Sequence, residues 1–218
     1  MTATATSGPA SLAEDRPALL RRCGVVTVAS GALGVACAAG ILLTPPMVPS
    51  TRFSHPFDST WFVVTQVLFA VQHLAMLAGV VGLLALAPSR ARVLRAGLVT
   101  AAVALLLLVG CELVALLATE VDEGSRTADA VATAYTAPTL LAGLGFLLAG
   151  WSVGRRRLLP WGRWIPFAFG AWVFVVLLPA LGGTAVAGRL ALGGWLALYA
   201  LLGVGLLRAA RGHGPSGG

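Results

Sequence analysis

At 218 residues, 58% hydrophobic and only 11% charged, with a mean hydropathy of +0.90, the chain is excluded from the soluble globular class, in which about 25% of residues are charged. The formal net charge of +7 comes from 15 basic residues, all arginine. They fall in short clusters between apolar spans, the pattern of membrane topology and not of a nucleic-acid-binding face, so the expected partner is the lipid bilayer and no nucleic acid.

Residues 1–18, MTATATSGPASLAEDRPA, are small and polar with two prolines and read as a disordered cytoplasmic tail. Six apolar segments follow, at roughly 22–43, 60–87, 96–118, 129–153, 164–181 and 190–207. Each is near the ~20 residues a spanning helix needs. The predicted fold is therefore all-α: a polytopic transmembrane bundle of six helices over 19–208, with 209–218 as a second flexible tail. Arg21-Arg22 ahead of an apolar run lacks the rest of a twin-arginine signal. "GVAC", ending at Cys37, is followed by more apolar residues and does not read as a lipoprotein cleavage box, so the first span is expected to stay uncleaved.

Orientation follows from the arginines. With the N-terminus inside, twelve of them (Arg16 to Arg22, Arg90 to Arg95, Arg155 to Arg163, Arg208 and Arg211) fall in the cytoplasm. Arg52, Arg126 and Arg189 fall outside. Both termini are then cytoplasmic in a multi-pass protein of the plasma (inner) membrane. Trp61 marks the outer interface and Trp151, Trp161 and Trp164 the inner one. Trp172, about 12 Å into the fifth span, is a packing or pocket residue. The outer loop 44–60 holds four prolines, which make it stiff and extended. It is either a plain connector at the headgroup level or a lid across the bundle's mouth. The acidic segment 119–129 reads as a solvated turn.

Small residues four apart predict close helix approach: Ser30, Gly34 and Ala38 in the first span, Ala75 with Gly79 and Ala78 with Gly82 in the second, Gly145 with Ala149 in the fourth. No residue-level repeat relates the two halves. The cysteines, Cys23, Cys37 and Cys111, form no disulfide framework and no CxxC motif.

Function has to sit on the polar residues inside the spans: Gln66, Gln72 and His73 in the second, Glu112 in the third, Tyr135, Thr136 and Thr139 in the fourth. Counted by helical rise from the outer ends, Gln66 and Glu112 lie roughly 7–9 Å deep, the two threonines roughly 10–15 Å and His73 roughly 18 Å. Gln66, Phe69 and His73 share a face, whereas Gln72 points about 100° away. Glu112, Thr119 and Glu123 form a stripe toward the outer surface, with Glu120 beside it. These positions predict an outward-opening polar crevice between spans two, three and four, with Pro138 freeing a backbone carbonyl at the same depth. A charge at the centre of a bilayer helix costs at least ~2.5–3.5 kcal/mol. Glu112 is accordingly protonated and bonded to Gln66 or His73, or paired with Arg189 reaching inward from the sixth span, or ionised in a hydrated crevice as part of transport.

No HExxH, GxSxG, Walker A or dinucleotide fingerprint is present. A single intramembrane histidine cannot supply paired haem ligands. No catalytic residue, metal or cofactor is expected, and the chain is not read as an enzyme. The segments LLPWGRWIPFAFGAWVF (158–174) and GRLALGGWLALYALLGVGLL (188–207), with AVQHLAMLAG and GCELVALLA in spans two and three, resemble six-helix integral membrane proteins common in high-GC actinobacteria, a group with no established activity. The resemblance covers 20–208 and implies a plasma-membrane location only. Two expectations remain: a small transporter or proton- or cation-coupled permease using Glu112 and His73, or a non-catalytic sensor or accessory subunit working with other membrane proteins or as a homo-oligomer.

Overall fold

The structure, a computed structural model, describes residues 15–212, without the side chain of Ala185. Six helices run through them: α1 (Arg16–Leu43), α2 (Ser59–Leu86), α3 (Arg92–Ala118), α4 (Arg126–Arg156), α5 (Ile165–Leu181) and α6 (Ala185–Gly212). Five have the length and apolar composition to cross a membrane; α5, with 17 residues, is shorter. The expected segments are all present, but most helices overrun them. α1 starts six residues early and carries Arg16, Arg21 and Arg22, and α6 continues to Gly212. A 28-residue helix is about 42 Å long, against about 30 Å of hydrocarbon, so α1 has length to spare for the N-terminal turns that carry its arginines. The tail boundaries expected at 18 and 209 thus fall inside helices. Residues 1–14 and 213–218, the rest of those tails, lie outside the described residues.

Local sequence sets the ends. Pro17 opens α1 and Pro166 opens α5, where a missing N–H costs nothing. Asp58 caps α2 by accepting from the Trp61 amide at 2.9 Å, and Ser125 caps α4 by accepting from Ala128 at 3.2 Å. α1 ends at Thr44, just before Pro45-Pro46, and α2 ends at Ala87, just before Pro88.

Each helix packs on its chain neighbours, and α6 closes the ring with an extensive interface on α1. Glycine lets these backbones touch. A Cβ on Gly31 would lie 2.5 Å from the Ala200 amide nitrogen, and one on Gly203 would lie 2.6 Å from that of Val28. In α3 and α4, Gly97 and Gly145 face each other, each placing its would-be Cβ 2.7 Å from the other's carbonyl oxygen. Predicted small-residue faces are used in this way: Gly34 meets Leu196, and Gly82 meets Leu206. Midway along the bundle an aromatic plug fills the centre. Trp195 stacks on Phe169 (centroids 4.6 Å apart, 12° between planes), and Phe169 meets Phe146 edge-on at 4.7 Å. Tyr199, fully buried, donates its hydroxyl to the Met76 carbonyl. Outward faces carry unbroken apolar rows, such as Val64, Leu68 and Val71 on α2 and Val99, Val103 and Leu106 on α3. In water such rows are association liabilities; in lipid they are the required surface.

Loop 44–58 is more than a plain connector. It is strapped to the α3–α4 loop: the Phe53 amide donates to Val121 O at 3.1 Å, the Glu123 amide to Thr51 O at 2.7 Å, and Arg52 lies 3.6 Å from Asp122. Arg52 also donates to the Glu120 carbonyl. Phe57 is buried with Phe62, Ala118 and Val131, and Phe53 stands edge-on to Phe62 at 6.1 Å. The segment expected to be a solvated turn is therefore half of a two-loop cap, and its residues from Arg126 onward are already helical.

A polar cavity at the arginine-poor end

Between α2, α3, α4, α5 and α6, at the end away from the arginine clusters, lies a cavity of about 790 Å³. Its position follows from α5. A rod of 17 residues reaches only about 25 Å, so α5 ends early and leaves Leu181, Gly182 and Thr184 as part of the rim. α5 is also irregular. Val173–Leu177 forms a π-helical turn, in which the Leu178 amide bonds back to Val173 O. Pro179, two residues beyond the turn, lacks the donor that would bond Val175 O in a regular helix. Leu177 and Leu178 face the cavity.

Glu112 enters from α3 with one oxygen hydrogen-bonded and the other beside His73. Its Oε2 accepts from the Tyr135 hydroxyl at 2.8 Å, and Tyr135 in turn accepts from Gln66 Nε2 at 3.2 Å. Its Oε1 lies 3.5 Å from His73 Nδ1, in ion-pair range but outside hydrogen-bond geometry. Glu112 and His73 are both buried, at 5% and 6% exposure, so each depends on these partners. Pro138 places Tyr135. Having no N–H, it leaves Ala134 O without its helical donor. That carbonyl accepts from Cys111 Sγ at 3.4 Å instead, and α4 breaks at Tyr135, between Arg126–Ala134 and Thr136–Arg156. The freed carbonyl expected from Pro138 is thus found, bonded to the residue next to Glu112.

Gln72 is completely buried, yet neither atom of its carboxamide has a hydrogen-bond partner among the described residues; its backbone carbonyl accepts from Ser30 Oγ at 3.1 Å. Thr136 and Thr139 line the α4 side and Arg189 the α6 side. Arg189 is half-buried, with no carboxylate within ion-pair range among the described residues.

The eight polar residues singled out in the sequence, Gln66, Gln72, His73, Glu112, Tyr135, Thr136, Thr139 and Arg189, therefore all line one cavity. Several details differ from expectation. Arg189 does not pair with Glu112; Tyr135 provides the hydrogen bond and links Glu112 to Gln66. The stripe through Thr119 and Glu123 does not continue, because α3 tightens into a 3₁₀ turn at Leu116–Ala118 and Thr119 bonds back to Leu116 O at 2.6 Å. A projection by helical phase fails where the helix ends. Gln72 reaches the cavity despite its 100° offset, because α6 supplies a second wall. That wall, with Leu192, Trp195 and Leu196, was not anticipated, whereas Phe53 comes from the outer loop read as a connector or a lid. A tryptophan within the apolar run, Trp195, was the available signal, since its indole N–H needs a partner; it finds one in Phe169 O at 3.1 Å. Trp172 is a packing residue, donating to Ala191 O at 2.8 Å. His73 and Glu112 alone do not make a metal centre, and the described residues hold no group of three metal-ligating side chains.

Fold and cavity define a helical membrane protein with a polar chamber at one end of its bundle. No protein-family model, curated protein or solved structure matches the chain.

Proposed function

We propose that the protein is a small proton- or cation-coupled permease of the plasma membrane, with both termini cytoplasmic and its cavity open to the outside. The observation that carries this reading is the buried carboxyl of Glu112, facing the cavity and held between Tyr135 and His73. An ionised carboxylate at this depth is costly. A proton or cation arriving through the cavity removes that cost, so loading and the stability of the inward-moving state are coupled. The orientation rests on the twelve-to-three arginine distribution.

A sensor or accessory subunit is the second reading, favoured by the aromatic plug of Trp195, Phe169 and Phe146 beneath the chamber. A sealed floor suits binding without passage. Proteoliposomes holding a pH-sensitive dye or a sodium-sensitive dye, under an imposed potassium diffusion potential, separate the two. The permease reading expects proton or cation flux from the parent chain and loss of that flux in Glu112→Gln, with thermal stability unchanged. Absence of flux from the folded parent overturns it and leaves the sensor reading standing.

A further inference from the structure

We infer that the cavity takes a ligand bearing a primary ammonium and, a short distance away, an anionic group. The inference rests on the reading that the cavity is a loading site, and gives that site its substrate class. Buried side-chain polar atoms are nearly always bonded, so the exceptions here are informative. Gln72 Oε1 and Nε2 and His73 Nδ1 are buried without a hydrogen-bond partner among the described residues, and their residues line the same chamber as Glu112. A primary ammonium carries three N–H donors and no acceptor. The chamber offers it three acceptors: Gln72 Oε1 and the two oxygens of the Glu112 carboxylate. On the other wall, Arg189 is half-buried with no carboxylate in range among the described residues. A guanidinium is suited to bidentate pairing with carboxylate or phosphate. One wall thus lacks a cation and the other an anion, and a ligand carrying both satisfies both. Between them Phe69, Leu192 and Trp195 provide apolar surface. The volume of about 790 Å³ lies within the ~300–1,000 Å³ of small-molecule sites.

This chemistry is shared by free apolar amino acids and by the headgroup of an aminophospholipid. The test uses the full chain in detergent micelles, by equilibrium binding and thermal shift. L-leucine is compared with isopentylamine, which lacks the carboxylate, and with 4-methylpentanoate, which lacks the ammonium. Phosphatidylethanolamine is compared with phosphatidylcholine, which keeps the phosphate but has no N–H. Binding of L-leucine about tenfold or more tighter than either fragment, the worth of one charge-assisted contact, identifies a free zwitterion. Stabilisation by phosphatidylethanolamine over phosphatidylcholine, with leucine inert, identifies the lipid headgroup. Both results uphold the inference. Equal response to the two lipids, with leucine no better than its fragments, overturns it. Gln72→Leu, which removes an unpaired amide and is expected to fold, should weaken binding of the ammonium ligand about tenfold. Arg189→Gln should bring the zwitterion down to the level of the amine and leave the amine unchanged. Unaltered affinity in both variants also overturns the inference. Binding needs no flux, so a bound ligand with silent proteoliposomes removes the permease reading alone, and flux without binding removes this inference alone.

Discussion

Tyr135 carries the strongest residue-scale consequence. Its hydroxyl accepts from Gln66 and donates to Glu112, so Tyr135→Phe leaves a buried carboxyl oxygen without its donor. The expected cost is about 1–3 kcal/mol, read as a lower melting temperature in detergent. Glu112→Gln behaves differently, because the amide oxygen still accepts from Tyr135 and packing volume is kept; its melting temperature is expected to stay near that of the parent. Gln72→Leu has the opposite sign, since it removes a carboxamide that is buried and unbonded. The ligand-free variant should melt higher than the parent, and a lower melting temperature would show that the Gln72 amide is already satisfied by a ligand or water. Which polar residues matter was legible from sequence, because a polar group in an apolar run has few places to go. Which of them bond was not. Glu112 and Tyr135 are 23 positions apart, and their meeting depends on a break in α4 and on how α3 and α4 pack.

Glycine decides the packing of helix pairs, and its role is testable by contrast. In α1, Gly31 faces the α6 backbone, 2.5 Å from the Ala200 nitrogen to its would-be Cβ. Backbone cannot rotate away, so Gly31→Ala must separate the two helices, at a cost of about 1–3 kcal/mol. In α3, Gly110 has nothing within 4 Å of the same position. Gly110→Ala should therefore be neutral, or stabilising by about 0.5–1 kcal/mol, through reduced backbone freedom in the unfolded chain. Melting temperatures in the order Gly110→Ala, parent, Gly31→Ala are expected; equal values for the two variants would contradict a backbone contact at Gly31. Spans were legible at this scale because lipid demands about twenty apolar residues in a row. Their ends were less so, since Arg16, Arg92 and Arg156 remain helical beyond the apolar run. The π turn in α5 had only Pro179 as its signal, and a proline does not by itself say whether a helix kinks, widens or stops.

Ring closure by α6 on α1, and with it the second wall of the cavity, was hidden at the scale of the whole molecule. Small residues announce that a face packs closely but not on which helix, and Gly34 and Leu196 are far apart in the chain. The fold itself leaves the direction of insertion open, and the proposed direction rests on charge distribution alone. Arg90, Arg92 and Arg95 lie with Arg155 to Arg163 and Arg208 on the loops and helix ends opposite the cavity. There Arg208 covers the Trp161 ring at 4.4 Å and Arg155 that of Trp151 at 5.2 Å, an interfacial arrangement of cation and indole. Placing that end outside would put twelve of 15 arginines on the wrong side of the positive-inside rule. Ser50 in the cap and Ser89 between α2 and α3 are exposed at opposite ends of α2, so each reports one side. Cys23 and Cys111 are buried and Cys37 half-buried, which makes the parent chain a low-background control. A membrane-impermeant maleimide applied to intact cells should label Ser50→Cys and spare Ser89→Cys until the cells are permeabilised. The reverse pattern would turn the molecule over. The cavity would then face the cytoplasm, and Glu112 would load from within, so proton uptake in the proteoliposome assay would have to be read in the opposite sense.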